Sequence, residues 1–254
     1  MKNIPNLFTL LNLVFGCIAI VFILQNGITI TVTADGAQFL DMPEKIWMAS
    51  LFIGLAAVVD FLDGFVARLF KATSGMGAQL DSLADLVSFG VAPGMILYQF
   101  LRLSYAQQDD GVDISFIWLL PAFIVPAAAA WRLARFNLDT GQSYTFKGLP
   151  VPAAGMFVAS LPLIYWNVNE TWAFELVRNK WFLYGVILFL SWLMVSRLPL
   201  MAMKFKDYSV KNNFPKYLLL AISIVLILLL KWLAVPVIIV AYVLLSLLFK
   251  NKPA

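Results

Sequence analysis

Residues 46–66 read IWMASLFIGLAAVVDFLDGFV. A helix of that length, rising about 1.5 Å per residue, crosses a hydrocarbon core of about 30 Å. The run is apolar until it meets two carboxylates, Asp60 and Asp63, near its end. Segments of the same kind recur on both sides, at roughly 7–24, 79–100, 115–131, 150–166, 181–196, 216–230 and 232–249. The last two are separated by Lys231 and Trp232. Together they are too long for one crossing, so a tight reversal between Lys231 and Pro236 is expected. The first run is a full-length span without a small-x-small cleavage site and reads as a retained helix, not a secretory signal.

Composition agrees with this reading. The chain has 254 residues, 62% hydrophobic and 13% charged, whereas soluble domains run at about half apolar and a quarter charged. An ordinary water-soluble enzyme is excluded. The absence of His excludes a Ser-His-Asp triad, a Cys-His pair and any His-ligated zinc. The lone Cys17 cannot form an internal disulfide and reads as a small packing residue. The sequence therefore predicts an all-α, polytopic integral membrane bundle of about eight transmembrane helices, forming a single membrane domain over residues 1–254. A catalytic core over about 1–200 is expected, followed by an extra helix pair at about 216–249.

Charge fixes the orientation. With the N-terminus cytoplasmic, Lys45, Arg102, Arg178, Lys180 and Lys231 fall outside, and the other thirteen of the 18 Lys and Arg fall inside. That is a positive-inside bias, and an even number of spans returns the C-terminus to the same side. The net charge of +4 is explained this way, and no nucleic-acid partner is expected. The basic stretch Lys204–Lys216 suits a surface facing anionic lipid. Trp47, Trp118, Trp166, Trp172, Trp181 and Trp192 lie mostly near span ends, as in interfacial belts.

Asp60 and Asp63 then require an explanation, as do Asp81 and Asp85 at the start of the third span. Inserting one such residue at a helix centre costs about 2.5–3.5 kcal/mol, so four uncompensated ones would cost on the order of 10 kcal/mol, less near the interface. Asp60 and Asp63 are i,i+3. Gly77, Asp81 and Asp85 form an i,i+4 stripe. The two helices are consecutive and antiparallel, so their acidic faces can meet. Converging carboxylates without His suit Mg²⁺, Mn²⁺ or Ca²⁺ in preference to zinc or copper. Gly64 and Ala67 leave room for a ligand near the backbone, Arg68 is a bidentate phosphate partner, and the loop Lys71–Gly75 offers hydroxyls and N–H groups. Together these suit a diphosphate. A divalent-cation transporter would use the same four acids, but it has no need of Arg68 beside Gly64 and Gly77.

The spacing Asp60-x-x-Asp63-Gly64-x-x-Ala67-Arg68, eight residues, then Gly77-x-x-x-Asp81-x-x-x-Asp85 resembles, without gaps, the signature of the CDP-alcohol phosphatidyltransferases. These are polytopic membrane enzymes, usually homodimers, that exchange the CMP of a CDP-linked lipid for an alcohol. The resemblance implies two divalent cations, Mg²⁺ or Mn²⁺. Asp60, Asp63 and Asp81 would hold one; Asp60, Asp81 and Asp85 would hold the other, with Asp85 also the general base. It implies CDP-lipid contacts from Asn6, Thr9, Gly64, Ala67, Arg68, Ser74 and Gly77. Asn6 and Thr9 share one face of the first helix, and Asn12 continues it.

The stretches Ile4–Asn12, Val87–Pro93, Arg132–Asn137 and Phe146–Pro152 are most similar to those members of the family whose acceptor is L-serine. The resemblance thus implies transfer of a phosphatidyl group from CDP-diacylglycerol to L-serine in the inner membrane, with the site facing the cytoplasm. Glycerol 3-phosphate or inositol phosphate is the alternative acceptor. A serine carboxylate calls for a cation, and Arg132, Arg135 and Lys147 are the candidates on the cytoplasmic side. Choline would call instead for an aromatic cage.

Overall fold

The computed structural model describes residues 4–32, 36, 38–69, 75–107, 114–138, 145–168, 170–201, 209 and 213–249. Each apolar run becomes a helix. The first is α1 (Ile4–Gln25), with Pro5 in its opening turn, where a missing N–H breaks no bond. A short antiparallel ribbon, β1 (Thr29–Val32) with β2 (Gln38–Asp41), follows, Thr29 facing Asp41. The chain then returns as α2 (Trp47–Leu69), which packs along α1.

The third crossing is continuous but not uniform. It comprises α3 (Gly75–Asp85), a π-helical turn over Leu86–Val91, and α4 (Ala92–Ala106). Pro93, with no N–H to donate back along the helix, follows the π turn. This crossing is the centre of the bundle: Phe89, Ile96, Leu97, Phe100 and Leu101 are fully buried. Small residues let its neighbours come close. A Cβ on Gly155 would lie 2.8 Å from the Cβ of Phe89, and one on Gly94 would lie 2.9 Å from the ring of Pro126.

Two 3-10 turns, Phe116–Trp118 and Leu120–Phe123, lead into α5 (Ile124–Leu138). After it come β3 (Thr145–Lys147), α6 (Val151–Asn167), the short α7 (Thr171–Arg178) and α8 (Lys180–Val195). Asn179 caps α8, its Oδ1 accepting the N–H groups of Trp181 and Phe182. Strand β4 (Pro199–Met201) pairs antiparallel with β3, Phe146 facing Leu200.

The last apolar stretch is α9 (Phe214–Leu230), a 3-10 turn over Lys231–Leu233, and α10 (Ala234–Leu248). Lys231 has φ 49°. The Phe214 ring, at the start, lies 6.0 Å from that of Phe249, at the end, so the two helices form a hairpin as the sequence predicts. Its second arm, α10, is fastened to β4: Tyr242 donates to the Met201 carbonyl (2.8 Å), and the Met201 N–H donates to Ser246 (3.2 Å).

The architecture is the helical membrane bundle expected. Among the described residues, five helical stretches are long and apolar enough to span a bilayer: Pro5–Gln25, Glu44–Val66, Gly75–Ala106, Phe116–Leu138 and the folded Phe214–Leu248; α6 and α8 are shorter apolar helices. The differences lie at the ends. The helices beginning at Gly75 and ending at Leu138 outrun their apolar segments, the first to include Gly77 and the second Arg132 and Arg135, because hydropathy falls before the backbone ladder ends. The two ribbons and α7 have no counterpart in the apolar pattern.

Candidate active site

Two helices bring the carboxylates together. The end of α2 carries Asp60 and Asp63, and α3 returns beside it with Asp81 and Asp85. Carboxylate oxygens of Asp60, Asp63 and Asp81 all lie within 4.8 Å of one another. Asp85, one turn along α3, is close enough for the charges of Asp60 and Asp81 to act on it. The antiparallel arrangement brings Asp60, Asp63 and Asp81 into one close group, and Asp85 lies beside it.

The first turns of α1 supply the neutral donors. Thr9 Oγ1 donates to Asp63 Oδ2 at 2.8 Å, and Asn12 Nδ2 donates to Asp85 Oδ1 at 3.1 Å. Asp81 Oδ1 is buried without any hydrogen-bond partner. Buried polar groups are normally satisfied, and three converging carboxylates repel one another. A hard divalent cation with oxygen ligands answers both demands, so these residues fit the metal that the acidic signature implies.

Around this centre, Gly64 is half-buried on α2, and a Cβ there would meet nothing within 4 Å. The space beside the helix is open for a ligand. Gly77 lies one turn before Asp81 on α3, and Asn6 is half-buried in the first turn of α1. Ala67 and Arg68 belong to the helical backbone of α2; their side chains, and the whole of Ser74, lie outside the described residues.

The three candidate alcohol-binding cations form a separate group. Arg132, 6% exposed, donates from Nη2 to the Gly148 carbonyl at 3.0 Å, and its Nε is buried without a partner. Arg135 donates to the carbonyls of Val195 (2.7 Å) and Ser196 (3.3 Å) at the end of α8. Lys147 is exposed at the end of β3. Gly148 makes this arrangement possible: its φ is +81°, and a Cβ would lie 2.7 Å from the carbonyl oxygens of Met194 and Ser196. Among the described residues, these hydrogen bonds of both arginines go to backbone carbonyls and none reaches a carboxylate of the acidic centre.

Two connections escape sequence reasoning. Asn137 Nδ2 donates to Ser82 Oγ at 2.9 Å, tying the end of α5 to the residue after Asp81. Ser88, in the π turn, donates to the main-chain carbonyl of Asn12 at 2.9 Å. Both join residues more than fifty positions apart, and no local pattern announces them. Asn12 did leave a signal: it continues the polar face of Asn6 and Thr9.

Comparison with known proteins agrees with this geometry. The family model described as CDP-alcohol phosphatidyltransferase matches residues 2–203, a span that ends before α9. A CDP-diacylglycerol--serine O-phosphatidyltransferase of Helicobacter pylori (strain J99) is 33% identical over 225 residues, covering 88% of this chain and 80% of that protein. The protein of the same name from Bacillus subtilis (strain 168) is 34% identical over 165 residues, 65% of this chain and 78% of its own. That from Mycobacterium tuberculosis (strain H37Rv) is 31% identical over 251 residues, 95% of this chain and 76% of its own. With the four signature carboxylates gathered at one end of a helical membrane bundle, the chain belongs to the CDP-alcohol phosphatidyltransferases.

Proposed function

We propose that this protein transfers the phosphatidyl group of CDP-diacylglycerol to the hydroxyl of L-serine, giving phosphatidylserine and CMP. The observation that carries the reading is the close group of Asp60, Asp63 and Asp81, with Asp81 Oδ1 buried and unpartnered among the described residues, in a chain whose relatives are named for this reaction. Asp60, Asp63 and Asp81 would hold one Mg²⁺ or Mn²⁺, and Asp60, Asp81 and Asp85 the second. Bound there, the cations supply charge neutralisation of the diphosphate and polarisation of its P–O bonds.

The remaining work falls to the chain. The open flank of Gly64 admits the diphosphate against the α2 backbone, with Arg68, Asn6, Thr9, Ala67, Ser74 and Gly77 completing the CDP-lipid contacts. Asp85 takes the proton of the serine hydroxyl. The hydroxyl oxygen forms a bond to the lipid-bearing phosphorus, the bond from that phosphorus to CMP breaks, and CMP leaves as the anion. Arg132, with an unused buried N–H, together with Arg135 and Lys147, binds the serine carboxylate. The catalytic core is residues 1–200. The enzyme works as a homodimer in the inner membrane, with the site at the cytoplasmic face.

The test is CMP release by purified protein with CDP-diacylglycerol and Mg²⁺ or Mn²⁺. L-serine, glycerol 3-phosphate, inositol phosphate or no alcohol is added in parallel. Release with serine alone is expected. Release only with another alcohol overturns the acceptor assignment. Metal flux across vesicles without CMP release under any condition overturns the enzymatic reading in favour of cation transport.

A further inference from the structure

We infer that Asn12 is the positioning residue for Asp85: its side-chain amide holds the carboxylate, while its main chain is locked to the π turn that follows. This rests on the proposed reaction and adds to it a residue outside the acidic signature. Asn12 is 0% exposed. Its Nδ2 donates to Asp85 Oδ1 at 3.1 Å, while its own Oδ1 is buried with no partner. An amide whose carbonyl half is left unsatisfied is a poor choice for packing, since leucine would fill nearly the same volume without that penalty. What asparagine alone supplies at this position is the N–H₂ aimed at Asp85.

The second tie fixes the backbone behind that donor. Ser88 Oγ donates to the Asn12 carbonyl at 2.9 Å, and Ser88 lies three residues past Asp85, inside the π turn Leu86–Val91. Gly16, one turn beyond Asn12 on α1, clears the approach, because a Cβ there would lie 2.4 Å from Ser88 Oγ. Helix α1 is therefore joined to the third crossing at two adjacent points, at Asp85 and at Ser88 three residues on. A π turn changes the phase of the residues around it and is common at functional sites. Here it places Ser88 to grip the same residue that Asp85 uses. One oxygen of Asp85 is thereby committed to α1.

The test has an activity arm and an arm independent of turnover. In CMP release at saturating metal, Asn12→Leu is expected to lower kcat about tenfold to hundredfold, the loss of one hydrogen bond to a charged group. The KM for CDP-diacylglycerol should stay within about twofold, because the contact acts on the proton acceptor and not on lipid binding. Ser88→Ala should reduce kcat in the same direction by less. In the second arm, thermal unfolding of metal-free protein in detergent is compared for wild type, Asn12→Asp, and Asn12→Asp combined with Asp85→Asn. The single variant places two carboxylates in contact and is expected to melt several degrees lower. The double variant exchanges the amide and the carboxylate across the same contact and should recover at least half of that loss, while remaining inactive.

Unchanged kcat in folded Asn12→Leu and Ser88→Ala overturns the inference, as does a double variant no more stable than Asn12→Asp. Parallel losses in kcat and lipid KM would also overturn it, as the mark of general disruption. Absence of wild-type CMP release would instead remove the reaction on which the inference depends, and the inference with it.

Discussion

Neutralising Asp81 should stabilise the metal-free protein and weaken its response to metal. In the structure, oxygens of Asp60, Asp63 and Asp81 lie within 4.8 Å of one another. Two unit negative charges at that separation repel by about 3.5 kcal/mol at an effective dielectric of about 20, so Asp81 carries about 7 kcal/mol of repulsion from its two neighbours. Rotation of the carboxylates and penetration by water relieve most of this, leaving on the order of 1–3 kcal/mol to be regained in Asp81→Asn. For a chain of this size that corresponds to an increase in melting temperature of roughly 3–10 °C. Addition of Mn²⁺ or Mg²⁺ reverses the order. Wild type gains stability through binding linkage, while the variant has lost a shared ligand and gains little. The assay is thermal unfolding in detergent with chelator and across a metal titration. A variant that melts below wild type in chelator, or that responds to metal as strongly as wild type does, would refute the reasoning.

The other expectations concern separate parts of the site. Asp85→Asn should lower CMP release by about 10²–10⁴-fold while the protein still binds CDP-diacylglycerol; turnover near wild type removes Asp85 as the base. Thr9→Val deletes the 2.8 Å bond to Asp63 and should raise the metal concentration for half-activation about tenfold or more; an unchanged metal titration refutes that role. Arg135→Ala should raise the KM for serine more than the KM for CDP-diacylglycerol, and equal effects on both would discard its place in the acceptor pocket. Gly148→Ala forces a left-handed φ on a residue with a Cβ and drives that Cβ to 2.7 Å from two carbonyl oxygens. It should cost about 2 kcal/mol or more in unfolding measurements, and a melting temperature equal to wild type contradicts this.

The acidic centre was legible because its parts are local. Asp60 with Asp63, and Asp81 with Asp85, are each set by helical periodicity within one element, and a short connection makes the two elements neighbours. The reversal at Lys231 followed from length alone.

The arginines of α5 show where such reading stops. Arg132 and Arg135 are i,i+3 and share a face, but periodicity does not say what that face meets. Packing of α5 against α8, and the turn at Gly148, place backbone carbonyls there. The same holds for Ser82 with Asn137 and for Asn12 with Asp85 and Ser88, where each partner is supplied by another helix.

By itself, then, the sequence determined that the chain is a bundle of membrane helices and that its acidic residues near the ends of neighbouring helices can meet. Those properties arise from hydropathy and from spacing within a helix. Tertiary structure decided which neutral side chains hold the carboxylates, which oxygen of Asp81 is left bare, and that Arg132 leans on the turn at Gly148 and Arg135 on the end of α8. These depend on the rotation and depth of one helix against another. That relation is set by small residues such as Gly16, Gly148 and Gly155 and by a π turn at Leu86–Val91, and it has no periodic trace in the chain.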